Sequence, residues 1–118
     1  MRQMSFSMTT GPVRRHEKDV TRRLGWDNLK VGDLVQAVEK GQGLKKGEHP
    51  VKLCLISIKG KRPERLSRMI DNMDYGREEC IKEGFPNLTP QEFVAMFCKA
   101  NNCEVWQPIN RIEFEYVD

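Results

Sequence analysis

Lys18-Asp19-Val20-Thr21-Arg22-Arg23 brings an amine, a hydroxyl and two guanidiniums into six positions, with Leu24-Gly25-Trp26 directly behind. A desolvated lysine can act as a general base, a threonine hydroxyl can attack or hold a water, and a guanidinium binds anions or a developing oxyanion. Spacing decides whether these groups meet. In an extended strand side chains alternate faces, which puts Thr21 and Arg23 on one side and Val20 and Arg22 on the other. Lys18 lies three residues before Thr21, so its amine reaches that hydroxyl only if the backbone bends between them. Val20 between polar neighbours fits an edge strand, whereas composition alone favours a solvated basic loop.

Elsewhere the residue types associated with metal or phosphate chemistry are poorly spaced for it. Cys54 lies in an apolar run and reads as a small core residue, Cys80 stands alone, and Cys98 and Cys103 flank Lys99-Ala100-Asn101-Asn102. Structural zinc needs two close pairs, or a pair with histidines, and His16 and His49 are not placed to complete one. Gly41-Gln42-Gly43 lacks the following helix and the lysine spacing of a phosphate loop. Residues 39–50, with three glycines, three lysines and a proline, therefore read as a solvated hairpin connection. No metal or organic cofactor is implied. Trp26 and Trp106 fall outside the periodic segments and read first as loop-to-core packing.

The elements that must position the polar stretch belong to one domain over residues 1–118, long enough to form a core without disulfide or metal staples. No apolar run approaches the roughly 20 residues of a membrane span. The first residues lack the apolar stretch of a secretory signal, so the expectation is a cytoplasmic protein with reduced thiols and no membrane partner. Formal net charge is +3, unevenly spread: residues 1–68 hold 16 Lys/Arg against 7 Asp/Glu, and residues 69–118 hold 4 against 10. Such a split fits a basic face that meets phosphate, or two halves that neutralise one another.

Residues 4–9 alternate Met4, Phe6 and Met8 with Ser5, Ser7 and Thr9, the period of a half-buried strand, and Gly11-Pro12 breaks it. Residues 13–17 form a short helical turn or a loop. Gly32 marks a turn, followed by a strand over residues 34–38. Residues 51–58 are nearly continuous in apolar side chains and read as a central strand buried on both faces. Lys59-Gly60-Lys61-Arg62-Pro63 reads as the basic turn that ends it. Leu66, Met69 and Ile70 have helical spacing within residues 64–70, and residues 74–82 form another short helix. The clearest element starts at Thr89, an N-cap with Pro90 at the first position and Glu92 closing a capping box. Leu88 and Phe93 suit a hydrophobic staple, Phe93, Met96, Phe97 and Ala100 make one buried stripe, and Asn101-Asn102 ends the helix. In residues 111–117, Ile112, Phe114 and Tyr116 face a core while Arg111, Glu113 and Glu115 face water. Strands, then helices, then a closing strand suit an α+β fold, a small mixed barrel with flanking helices, sealed by pairing the terminal strands.

The ordered set Lys18-x-x-Thr21-x-Arg23, Leu29-Lys30-x-Gly32-Asp33 and Glu83-Gly84-Phe85 resembles the activating-signal-cointegrator homology (ASCH) domain, a PUA-like β-barrel, over residues 5–117. Thr21-Arg22-Arg23-Leu24-Gly25-Trp26, Glu83-Gly84-Phe85-Pro86, Thr89-Pro90-x-Glu92-Phe93 and Arg111-Ile112-Glu113-Phe114-Glu115-Tyr116 look like phage- or prophage-encoded members. The resemblance implies a cleft on the barrel that takes RNA or a nucleoside- or nucleobase-like ligand, with Arg22, Arg23, Trp26, Lys61 and Arg62 as expected contacts. One branch of the family hydrolyses the amide of acetylcytidine with a lysine, a threonine and a glutamate, which match Lys18, Thr21 and Glu83; Arg23 matches the arginine two after the threonine. In that reading Thr21 attacks or positions a water, Lys18 is the base, Glu83 passes a proton to the leaving amine, and Arg23 holds an anionic group or the oxyanion. Two departures stand out: His16 replaces the family's glycine two residues before the lysine, and the loops over residues 40–50 and around Lys61 differ.

Three other readings remain open at this point. Lys18 and Glu83 could form an ordinary ion pair bracing a strand against a helix. A non-catalytic RNA-binding module would use the basic half, Arg14, Arg15, Lys45, Lys46, Lys59, Arg65 and Arg68 included, through phosphate contacts. With aromatic content at 8%, one cleft fits better than a long stacking groove. A phage protein that binds a host protein through its acidic half is the third.

Overall fold

A computed structural model of the chain describes residues 1–41 and 44–117. In chain order the elements are β1 (Gln3–Ser5), α1 (Thr10–Arg14), β2 (Val20–Arg23), β3 (Leu34–Val38), β4 (Lys52–Arg65), α2 (Ser67–Asp71), α3 (Met73–Lys82), α4 (Pro90–Asn101) and β5 (Pro108–Val117). The strands form one mixed sheet in the order β1-β3-β4-β5-β2. β1 runs parallel to β3, and the other neighbours are antiparallel. The α+β class and the mixed sheet with helices are as the sequence implied.

Closure is different. β1 pairs with β3, and β5 lies between β4 and β2, so the terminal strands are not neighbours and the sheet stays open with β1 and β2 as its edges. The first strand is too short to seal it. Phe6 N still donates to Val38 O at 2.9 Å, but Thr9 N then donates to Phe6 O at 3.1 Å and the chain folds over into α1. The strand expected over residues 4–9 therefore stops at Ser5. Gly11-Pro12, expected as a breaker, lies in the first turn of α1, where proline's missing N–H has no helical partner to lose. Across the open seam Arg23 Nη2 donates to Ser5 O at 2.6 Å.

β4 corrects a second expectation. Lys59–Pro63 is no turn: the register shifts between Ile58 and Gly60, after which Lys61, Arg62 and Pro63 pair with Ile112, Arg111 and Asn110. A bulge absorbs the extra residue and the strand continues. β3 and its preceding turn follow β4 no further than Ile58, so Pro63 lies where one edge of β4 is unpaired, the position a strand proline requires. The helix expected from residue 64 starts only at Ser67. Burial of residues 51–58 is also one-sided, with Ile56 and Ile58 buried while Leu53, Cys54 and Leu55 are half-buried. The loop over residues 39–50 contains no helix or strand among its described residues, and Gln42 and Gly43 lie outside them.

Two apolar cores result. One joins Met4, Phe6, Leu29, Val35, Ile56, Ile58, Ile112 and Phe114. The other joins Leu66, Met69, Cys80, Phe93, Val94, Phe97 and Ile109 under the helices. Arg111, expected to face water, is buried, because it shares a face of β5 with Ile109 and Glu79 of α3 covers that face. α4 forms as its caps dictate: Glu92 N donates to Thr89 Oγ1 at 3.1 Å and Thr89 N to Glu92 Oε1 at 2.9 Å. Its end is left-handed Asn102, φ 50°. Among the described residues no helix is long and apolar enough to cross a membrane.

Candidate functional site

The edge strand β2 sets the site by its register on β5, with Thr21 opposite Ile112 and Arg23 opposite Asn110. The alternation reads as the sequence suggested. Arg23 Nε donates to Thr21 Oγ1 at 3.0 Å on one face, while Arg22 turns to the other and meets carboxylates. Just before the strand, Asp19 N donates to Lys82 O and Phe114 N to Asp19 O, both at 3.0 Å, which ties the chain to the end of α3 and to β5. That clamp aims Lys18 at Glu83 rather than at Thr21. Lys18 Nζ donates to Glu83 O at 2.6 Å and to Glu83 Oε1 at 2.8 Å. Among the described residues no hydrogen bond joins Lys18 Nζ to Thr21 Oγ1.

Glu83 is the residue that ends α3. Gly84 follows at φ 89° and Phe85 N donates back to Cys80 O at 2.8 Å, a left-handed stop that glycine alone adopts without strain. The second oxygen of Glu83 accepts from Arg22 Nη1 at 3.2 Å. Arg22 Nη2 also donates to Glu64 Oε2 at 2.6 Å and to Glu79 Oε1 at 2.5 Å. Glu79 is held bidentately by Arg111, Nε at 2.6 Å and Nη2 at 3.0 Å, and Tyr75 Oη donates to Glu64 Oε1 at 2.6 Å. Lys18, Glu83, Arg22, Glu79 and Arg111 thus form one buried line of alternating charge, flanked by Glu64.

Burial pushes the Lys18 amine below its ordinary value, although the Glu83 carboxylate pulls the other way. Burial likewise lowers Arg23, to about 10. For Glu79 burial alone would raise the carboxyl, but the Arg111 and Arg22 guanidiniums outweigh it and hold it at about 2. Glu64 is also held low: burial opposes, and Tyr75 and Arg22 prevail. Glu79 and Glu64 therefore stay ionised near neutral pH.

This line abuts a cleft of about 680 Å³ at the seam between the two sheet edges. Lys18, Thr21, Arg22, Arg23 and Glu83 line it, with Phe6 and Trp26 on the sheet side and Phe85, Phe93 and Phe97 on the helical side. Arg22 contributes little freedom there, since its side chain is 0% exposed and already holds three carboxylates. Lys61 and Arg62, expected as ligand contacts, do not line the cleft. β5 separates their strand from β2, so they lie two strands away from the open edge. Lys61 Nζ instead donates to the carbonyls of Trp26, at 3.3 Å, and Asp27. Arg62 Nη2 donates to Tyr75 Oη at 3.0 Å and Glu64 Oε1 at 3.4 Å.

Sequence reasoning missed Glu64, Tyr75, Glu79 and Arg111. Two signals pointed to part of the set. Glu79 and Glu83 are four apart beside Gly76 and Cys80, so one helix face carries two carboxylates among small residues. Ile109 before Arg111 shows that the second face of β5 begins buried. Nothing comparable marks Glu64.

No family model matches the chain, and no curated protein matches it. Two solved structures do. The crystal structure of a hypothetical protein, PH0355, is 17% identical with a TM-score of 0.64, covering 99% of this chain and 100% of that one. The ASCH domain from Lactobacillus crispatus JV V101 is 12% identical with a TM-score of 0.60, covering 98% of this chain and 79% of that one. At such identities the likeness is one of fold, and the fold is that of the ASCH domain, as the residue resemblance implied.

Proposed function

We propose that the seam cleft binds a nucleoside- or nucleobase-like ligand, free or presented by an RNA. The observation that carries this reading is the convergence of Thr21, Arg23, Lys18 and Glu83, from segments up to 65 residues apart, on one cleft with aromatic side chains on both walls. Flat apolar walls take the faces of a heterocycle, and a few fixed polar groups read its edge. Arg23 and Thr21 are the contacts best placed to do so, because Lys18 and Arg22 already spend most of their donors on Glu83, Glu64 and Glu79. Calorimetric titration with nucleosides, acetylcytidine and short RNAs tests it. Thr21→Val and Arg23→Met are expected to weaken binding at least tenfold, about the effect of one lost charge-assisted hydrogen bond; Arg62→Ala, outside the cleft, leaves it within twofold. No binding by the wild-type chain across the set overturns the reading. An affinity that falls steeply with salt identifies RNA as the form bound, and a flat response the free ligand.

One observation favours a second reading, hydrolysis of an acylated nucleoside. The Lys18 amine is desolvated and lowered toward the range of a useful base, and it shares the cleft with the Thr21 hydroxyl. Lys18 takes the proton of Thr21, or of a water Thr21 holds, as that oxygen attacks the amide carbonyl; Arg23 stabilises the oxyanion. The proton passes through Glu83 to the leaving amine as the C–N bond breaks, and where Thr21 is the nucleophile a water then hydrolyses the acyl ester. Chromatography of acetylcytidine incubated with the protein decides between the readings. Turnover that Thr21→Val abolishes supports hydrolysis, and none in the wild type leaves a binding site alone.

A further inference from the structure

Trp26 has φ 64° and follows Gly25 at φ 80°. Two successive left-handed residues are unusual, and a bulky aromatic side chain there is an outlier. Such conformations persist only where surrounding groups over-determine them, and here they do. Lys61 Nζ reaches across from β4 to the carbonyls of Trp26 and Asp27. Asn110 Nδ2, from β5, donates to Gly25 O and, at 2.9 Å, to Asp27 Oδ1. Leu29 N closes the turn on Trp26 O at 3.1 Å. Neither Lys61 nor Asn110 lines the cleft, so what they hold is the backbone that presents the indole to it. The ring is partly buried against the sheet-side core. Arg2 covers it from outside, its guanidinium carbon 4.3 Å from the ring centroid. The Arg2 backbone is anchored by Gln36 N donating to its carbonyl at 3.0 Å, while the residue is exposed.

We infer that the Gly25-Trp26-Asp27 turn is a stacking platform for the flat face of a heteroaromatic ligand, with Lys61 and Asn110 as its positioning residues and the Arg2 guanidinium as a removable cover. The inference rests on the cleft being a nucleoside site and adds the surface that takes the base. A planar guanidinium over an indole occupies the place a base would take, and both are held by the same π face. The guanidinium itself lies outside the cleft lining, so its displacement extends the cleft over the indole face. The hydrogen bonds from Lys61 and Asn110 keep the indole presented before anything binds.

The test uses a Trp106→Phe background, in which Trp26 is the sole tryptophan of the two in the chain. Arg2→Ala is expected to raise acrylamide quenching of Trp26 about twofold and to tighten binding of adenosine or cytidine about threefold. Lys61→Met and Asn110→Ala are each expected to shift Trp26 emission and to weaken the same nucleoside at least fivefold, and Trp26→Leu at least tenfold, with circular dichroism unchanged. Equal quenching with and without Arg2, or emission indifferent to both Lys61→Met and Asn110→Ala, overturns the platform. Wild-type binding that Trp26→Leu leaves intact overturns the platform but spares the cleft reading. Failure of the wild type to bind any of the nucleosides, acetylcytidine and the short RNAs overturns both.

Discussion

At position 16 the backbone is left-handed, φ 57°, where the resembling family carries glycine. A side chain there costs of order 1–2 kcal/mol, and the imidazole recovers part of it by stacking on Tyr116, centroids 4.0 Å apart and rings within 9° of parallel. Tyr116 Oη in turn donates to Lys18 O at 2.5 Å, so this one residue braces the approach to the candidate site. His16→Ala loses the stacking and keeps the strain; His16→Gly loses the stacking but relieves the strain. Ala is therefore expected to destabilise the protein by about 1 kcal/mol, in the range of such ring contacts, and Gly by less. Thermal melts of the two variants check this. A glycine variant less stable than the alanine variant would show that the left-handed backbone is not the reason for the family's glycine.

Among the elements, legibility followed how local the cause was. α4 could be read in full because Thr89, Pro90 and Glu92 specify its start within four residues, and Thr89→Ala is expected to cost about 1 kcal/mol. Faster amide exchange confined to the first turn of α4 would confirm it; an unaltered melting temperature would mean that water replaces the cap. The alternation of β2 was equally local, and so Thr21 and Arg23 share a face as read. The second half of β4 was not legible, because Lys59–Pro63 carries turn residues and becomes strand only through the six positions from Gly60 to Arg65 that pair with β5, a partner some fifty residues on. For the same reason the open seam was hidden: it depends on where β1 docks, not on its own pattern. Glu83 was reached through the resemblance, whereas Glu64 and Glu79 meet Arg22 across 42 and 57 residues with no local signature. Lys61, expected as a ligand contact, does not line the cleft, and the sequence alone does not show that β5 stands between its strand and β2.

At the scale of the molecule, the two apolar cores are joined by a charged layer rather than by more apolar packing. The charge asymmetry of the sequence resolves partly inside this layer, where Arg22 of the basic half binds Glu79 and Glu83 of the acidic half. Three cations, Lys18, Arg22 and Arg111, face three carboxylates, Glu64, Glu79 and Glu83, all buried. A buried pair adds little over an apolar substitute, but removing one partner strands the other and costs about 3–5 kcal/mol. Lys18→Ala and Glu83→Gln therefore perturb stability as well as any chemistry, which is why the functional tests rest on Thr21 and Arg23. The layer also sets the response to acid. Glu79 is held at about 2 against an ordinary 4.5, so its charged form is favoured by folding. Its contribution is complete above about pH 4.5 and is lost as pH falls toward 2, where the folded protein must also take up the proton. The melting temperature is expected to drop steadily between pH 5 and pH 2.5. Glu79→Gln should melt lower at pH 7, because Arg111 and Arg22 lose their anion, yet show a shallower drop, with the remaining slope carried in part by Glu64, which is lowered in the same direction. Melting curves that run parallel in the two proteins across this range would sink the assignment of Glu79 as a principal acid-sensitive group of the layer.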